Sequence, residues 1–179
     1  MGEMQMQTYT GLDFDPMNPD PERINIEDIA HALSLQCRYN GHVHRFYSVA
    51  QHSVFVSYLL PRHLMLAGLL HDAAETYLGD LIRPVKQEIA LYQAIEARLM
   101  IAVHRAFGLP YLNSDEQELI RVADNRVLAT EARDLIKHPL IPGWDWIKEI
   151  EPLKIQINPL SSFDAEFRFL IRFNHLIGV

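Results

Sequence analysis

Apolar residues in the first third of the chain recur at helical rather than alternating intervals. Ile26, Ile29, Ala30, Leu33 and Leu35 mostly fall on one stripe, which predicts a helix from Ile26 to about Cys37. Asn25 is placed to cap it, because its side-chain oxygen can take a free first-turn N–H, and Asp28 adds negative charge to that turn. The pattern stops at RYNGH, residues 38–42, where Asn-Gly favours a turn. Ser48 reads as the cap of a second helix reaching Leu60, and Pro61 as the opening of a third that continues to about Tyr77. Leu64, Met65, Leu66, Ala67, Leu69, Leu70, Ala73 and Ala74 cover nearly every side of the third helix, which predicts the centre of the fold. Gly79 and Pro84 bracket a loop. Further helices are predicted over about 85–107, 114–137 and 162–177; in the last, Phe163, Phe167, Leu170, Phe173 and Leu176 step by three or four. Residues 11–22, with three prolines and four acidic groups, read as a loop. IKEIEPLKIQI at 147–157 holds at most a short hairpin, or else a connecting loop. The expectation is an all-α fold, one domain over residues 1–179.

Composition agrees. A chain of 179 residues with 49% hydrophobic and 22% charged residues is long enough and apolar enough to bury a core. Cys37, the single cysteine, cannot form an intramolecular disulfide or a multi-thiolate metal site, which points to a reducing compartment. Sixteen basic against 23 acidic residues leave a net charge of −7, a poor match for a nucleic acid polymer. Small phosphates are still acceptable partners where a metal supplies the positive charge. No stretch reaches the ~18 apolar residues of a membrane helix, and Met1–Thr10 lacks the basic start and apolar centre of a signal peptide. These features lead to the expectation of a cytoplasmic protein with no membrane partner.

Five of nine histidines (His42, His44, His52, His63 and His71) fall in one 30-residue stretch. His71 and Asp72 are adjacent on the most apolar predicted helix, with Glu75 three and four residues on, so all three share one sector of it. Burying them together costs several kcal/mol unless a cation compensates, and a divalent metal does so. His52 lies in the small, apolar SVAQHSVFVS, and Asp124 is a single acid in the apolar helical run LIRVADNRVLATEA. Each alone has an ordinary explanation: a core histidine, or an aspartate paired with Arg121 or Arg126. Their occurrence on three successive apolar helices favours a shared site. Two histidines and two aspartates suit Co, Mn, Zn, Fe or Mg, with positions left for water and substrate.

The order His52, His71-Asp72, Asp124 resembles the metal-binding pattern of the HD-domain phosphohydrolases. HDAAETYLGDLIRPVK at 71–86 is similar to the corresponding run of the 5′-deoxynucleotidase-like subgroup, as are Arg38 with Gly41 and ADNRVLATEARDL at 123–135. The likeness covers about residues 26–136. Within it, IEDIAHALSLQCRYNGHVHRFYSVAQHS resembles small phage HD proteins that hydrolyse dATP and accompany replacement of adenine by 2-aminoadenine in phage DNA.

The resemblance implies an HD helical bundle that cleaves dATP to deoxyadenosine and triphosphate; the alternative is a 5′-deoxynucleotidase acting on monophosphates. It implies Glu75 as the group that holds or deprotonates water, and Asp80 as a site residue that orders water or helps hold a second metal near Glu75, the alternative for Asp80 being a loop cap for the next helix. Arg38 and Lys86 are the expected phosphate partners, and His42 or His44 a phosphate ligand or leaving-group acid, with a surface role equally open. Ile24 and Ile26 are candidates for an apolar wall beside the base, or for the core. The family also implies a homo-oligomer, a hexamer among the options, and, for a phage-encoded protein, the host cytoplasm.

Overall fold

The computed structural model describes residues 5–178; the ends of the chain, including the first part of the polar Met1–Thr10 segment, lie outside the described residues. The fold is mostly helical, as the periodicity predicts. Its eight α-helices among the described residues are α1 (Ile26–Leu35), α2 (Val49–Tyr58), α3 (Met65–Leu69), α4 (Glu75–Leu78), α5 (Arg83–Glu88), α6 (Ala90–Ala106), α7 (Ser114–Leu135) and α8 (Ser162–Ile177). Two short strands, β1 (Met6–Gln7) and β2 (Asp13–Phe14), pair antiparallel.

Local chemistry sets the helix starts. Asn25 accepts from the Glu27 N–H, Ser48 from Gln51 and Ser161 from Asp164, while Asn113 and Glu116 close a reciprocal capping box at the head of α7. α2 is buried on most of its circumference, eight of its ten residues, so it runs through the middle of the bundle. α8 lies across α1 and α2, and α3 packs on α2. The main core gathers Ile29 and Leu33 from α1, Val49 and Ala50 from α2, Leu69 to Tyr77, Leu99 and Val103 from α6, and Phe169 from α8. A second cluster joins Val56, Leu60 and Leu64 to Ile120 and Val127 of α7. Gly68 lets α3 pack closely on the end of α2, because a Cβ there would displace a terminal methyl of Leu60.

The structure departs from the sequence expectation in two places. The third helix is not continuous to Tyr77: after Leu69 the chain tightens, with N–H bonds running from Ala73 to Leu70, Glu75 to Asp72 and Thr76 to Ala73, each spanning three residues instead of four. His71, Asp72 and Glu75 are therefore not one face of a single helix; the first two sit on the tightened turns and Glu75 opens α4. The helix expected over 85–107 is two, because Ile89 leaves the helical region between α5 and α6 (φ −110°, ψ 85°). Residues 147–157 take the second of their two expected forms: a 3₁₀ segment over Pro142–Glu149 leads into a connecting loop, and the small sheet lies near the start of the chain. Ile147 holds that segment down by burying against Leu128, Ala129 and Ala132 of α7.

Among the described residues no helix is long and apolar enough to cross a membrane.

Candidate metal centre

α2, the tightened turns after α3, and α7 converge on one point. His52 is fully buried on α2. Its Nε2 lies 3.1 Å from Asp124 Oδ1 and 3.9 Å from Asp72 Oδ2, and Asp72 Oδ2 is 3.2 Å from His71 Nε2. Ligand atoms of His52, His71 and Asp72 all lie within 4.8 Å of one another, and Asp124 borders them on the His52 side. The two imidazoles tilt across each other with centroids 5.3 Å apart. Three stretches distant in sequence thus meet.

Each ring is fixed by its other nitrogen. His52 Nδ1 is 2.7 Å from Glu131 Oε1, and His71 Nδ1 is 2.9 Å from the Gly68 carbonyl. Both partners are acceptors, so each Nδ1 carries the proton and donates it, and each Nε2 is turned toward the carboxylates as the available ligand atom. His52 Nε2 is buried without a well-directed hydrogen bond, despite its closeness to Asp124. An orphaned imidazole nitrogen between two aspartates fits a cation, because nitrogen and oxygen donors converge there.

The electrostatics point the same way. Burial pushes Asp124 up, but its contact with His52 and the charges of His71 and Arg38 outweigh that and hold it well below the ordinary range. Burial and Arg38 pull His52 down, yet Glu131 and Asp124 prevail and lift it to about 9. A carboxylate excess that strong holds either a proton or a metal on Nε2. Glu75 is buried, its Oε2 has no partner, and burial, reinforced by Asp72 and Asp80, raises it well above the carboxyl range. Asp80 is raised too, chiefly by burial. It does not cap the next helix, since Ile82 stands at that position and no side chain bonds there.

Arg38 lies 3.2 Å from Glu131 and 3.7 Å from Asp72. Lys86 is tied to Glu96, with Glu75 and Asp72 within electrostatic reach. Asp124 is paired with neither Arg121, which bonds Glu118, nor Arg126, which reaches the Glu151 carbonyl. Its partner is Arg83, at 3.7 Å.

Other expected residues fall elsewhere. Ile24 is buried in the main core and Ile26 packs against it, because both flank the N-terminus of α1 where that helix meets the bundle, so neither forms an open wall beside a base. His44 is turned onto the Leu135 carbonyl through Nδ1, satisfying the open end of α7. His42 is exposed, and among the described residues neither histidine bonds or pairs with the cluster. Glu75 and Asp80 do not join the His52–His71–Asp72 group as a second cluster among the described residues.

Sequence reasoning passed over Glu131. It is fully buried and held down to about 2, since Arg38, His52 and the Tyr39 hydroxyl, which donates at 2.8 Å, overcome the cost of burying it. The signal was present: seven residues separate it from Asp124, two turns along one helix face, in the apolar stretch LATEA. Tyr39 was also missed, because its reach depends on a left-handed backbone (φ 56°), followed by Asn40 (φ 52°) and Gly41 (φ 82°).

No family model matches the chain. Among proteins compared over their length, the uncharacterized protein YfdR of Escherichia coli strain K12 is 38% identical over 176 residues, spanning 96% of this chain and 94% of its own. The uncharacterized protein RCAP_rcc00048 of Rhodobacter capsulatus is 41% identical over 137 residues, 70% of each chain. At that identity and coverage, this chain belongs to the same protein family as YfdR.

Proposed function

We propose that this protein is a metal-dependent phosphohydrolase of the HD-domain kind, acting on dATP to release deoxyadenosine and intact triphosphate. The observation that carries the phosphohydrolase reading is the pair of Nε2 atoms, each fixed by a donating Nδ1 and facing Asp72 and Asp124. His52, His71, Asp72 and Asp124 would hold a divalent cation, with Co, Mn, Zn, Fe and Mg all compatible with the donors. Such a cation supplies Lewis acidity, lowering the pKa of water and drawing charge from phosphoryl oxygens.

The protein's own residues do the rest. Glu75, buried and raised beside the cluster, takes the proton of the attacking water. Asp80 orders water next to it. Arg38, anchored by Glu131, meets phosphoryl oxygens from the side of Asp72. Lys86 adds positive charge from its place on Glu96. Attack at the α-phosphorus breaks its bond to the 5′ oxygen, yielding the nucleoside and triphosphate.

The choice of dATP rests on the likeness of residues 26–53 to phage dATP hydrolases, and with it the setting of 2-aminoadenine DNA, where depletion of dATP serves the exchange of bases. A homo-oligomer belongs to the same reading. Incubation with a panel of deoxynucleoside tri- and monophosphates and several divalent metals, followed by phosphorus NMR of the products, tests it. Triphosphate released from dATP supports the proposal. Turnover restricted to dAMP replaces it with a 5′-deoxynucleotidase, and no turnover of any nucleotide overturns both.

A further inference from the structure

Arg83 opens α5 a few residues after Asp80, and about half of its side chain is exposed. One guanidinium nitrogen lies 3.7 Å from Asp124 Oδ2, while its central carbon lies 5.4 Å from the centroid of the Trp146 ring. Trp146 belongs to the 142–149 segment, which is pinned at two further points: Trp144 tilts beside Tyr39 with centroids 5.9 Å apart, and Ile147 is buried on α7. The exposed indole stands on this held segment at the mouth of the cluster, and the guanidinium rests between it and the Asp124 carboxylate.

The other cations nearby are less available, although Arg38 also reaches Asp72 at 3.7 Å. Arg38 is largely buried on Glu131, and Lys86 is tied to Glu96. Arg83 differs in being half exposed, and among the described residues its ion pair is with Asp124 alone. A dication on Asp124 competes for the charge that draws Arg83 and adds positive charge in front of it. The guanidinium is then free to turn its planar fork to another anion at the same mouth.

We propose that Arg83 grips phosphoryl oxygens of the substrate once a dication occupies Asp124, and that Trp146 is the positioning residue that keeps the guanidinium at the rim. This assignment rests on the metal reading above. The ligand class is a phosphate chain, whatever nucleoside it carries. Arg83 serves as a gate of charge: held on Asp124 before the metal arrives, and offered to phosphate afterwards.

Calorimetry separates the two levels of the argument. Wild-type, Arg83→Gln and Arg83→Lys proteins are titrated first with zinc, then with inorganic tripolyphosphate. Arg83→Gln should bind zinc as well as wild type or more tightly, because a competitor for Asp124 is gone. It should then bind tripolyphosphate about tenfold or more weakly, the usual weight of a charged hydrogen bond, with Arg83→Lys between the two. In a Trp144→Phe background, tripolyphosphate should change Trp146 emission when Arg83 is present and leave it unchanged in Arg83→Gln. Zinc binding with equal tripolyphosphate affinity in all three proteins overturns the role of Arg83 and leaves the metal reading standing. Absence of zinc binding in wild type overturns both.

Discussion

His52 Nδ1 lies 2.7 Å from Glu131 Oε1, in full burial on both sides, and that contact decides what the opposite ring nitrogen does. Glu131 accepts, so Nδ1 donates, and Nε2 faces Asp124 and Asp72, where it is available to a metal. The same carboxylate takes Arg38 and the Tyr39 hydroxyl, joining three stretches of chain beneath the cluster.

Glu131→Gln should therefore weaken metal binding although Glu131 touches no metal. Loss of the carboxylate frees the orientation of His52 and lowers its basicity, a change worth about 10- to 100-fold in affinity. It also leaves Arg38 buried beside a neutral amide, and breaking a buried pair this way costs about 3–5 kcal/mol of stability. Calorimetric metal titration and denaturant unfolding of the same variant measure the two effects separately.

Asp72→Ala should abolish metal binding, because it removes the carboxylate that lies against His71 and within reach of both His52 and Arg38. Metal content after dialysis, measured by inductively coupled plasma mass spectrometry, should fall from one site to background.

Glu75→Gln should separate catalysis from binding. The variant keeps the four ligands and so its metal, but loses the group that takes the proton from water. In chelator it should also melt higher than wild type, since a buried carboxyl with an unpartnered oxygen, crowded by Asp72 and Asp80, is replaced by a neutral group. Thermal unfolding with a chelator present, paired with a nucleotide assay with metal, checks both halves; unchanged turnover removes Glu75 from the chemistry.

Much of the helical frame was legible beforehand because caps and apolar stripes are local. Asn25, Ser48 and the span 162–177 needed no tertiary information. The third helix was misjudged for a physical reason: its all-round apolar pattern reports burial, and burial is equally served by tight turns, which satisfy Ala73, Glu75 and Thr76 over three residues. The cluster of His52, His71 and Asp72, with Asp124 beside it, was legible as lone acids and histidines in oily helices. Glu131 sat in the same pattern two turns from Asp124, whereas Arg83 and Trp146 could not be read, because their meeting depends on a loop folding back across α7. Ile24, read from the sequence as either a wall beside the base or a core residue, takes the core place.

Phe169→Ala should destabilise the fold without touching the site. Phe169 is fully buried where α8 crosses α1 and α2, and truncating such a side chain costs about 3–5 kcal/mol. Below its lowered melting temperature the variant should bind metal with wild-type affinity; a large loss of affinity would mean that α8 tunes the ligands through α2.

Metal should stabilise the folded chain by mass action, about 2.7 kcal/mol at a hundredfold excess over its dissociation constant. That shift reports binding but not its place. The most direct test is a crystal soaked in manganese, with anomalous differences collected above the manganese edge. The account expects a peak at bonding distance, about 2.0–2.3 Å, from Nε2 of both His52 and His71, with Asp72 and Asp124 completing the contact. Full manganese exposure with no peak there, and with His52 Nε2 closed onto Asp124 by a direct hydrogen bond, would contradict it.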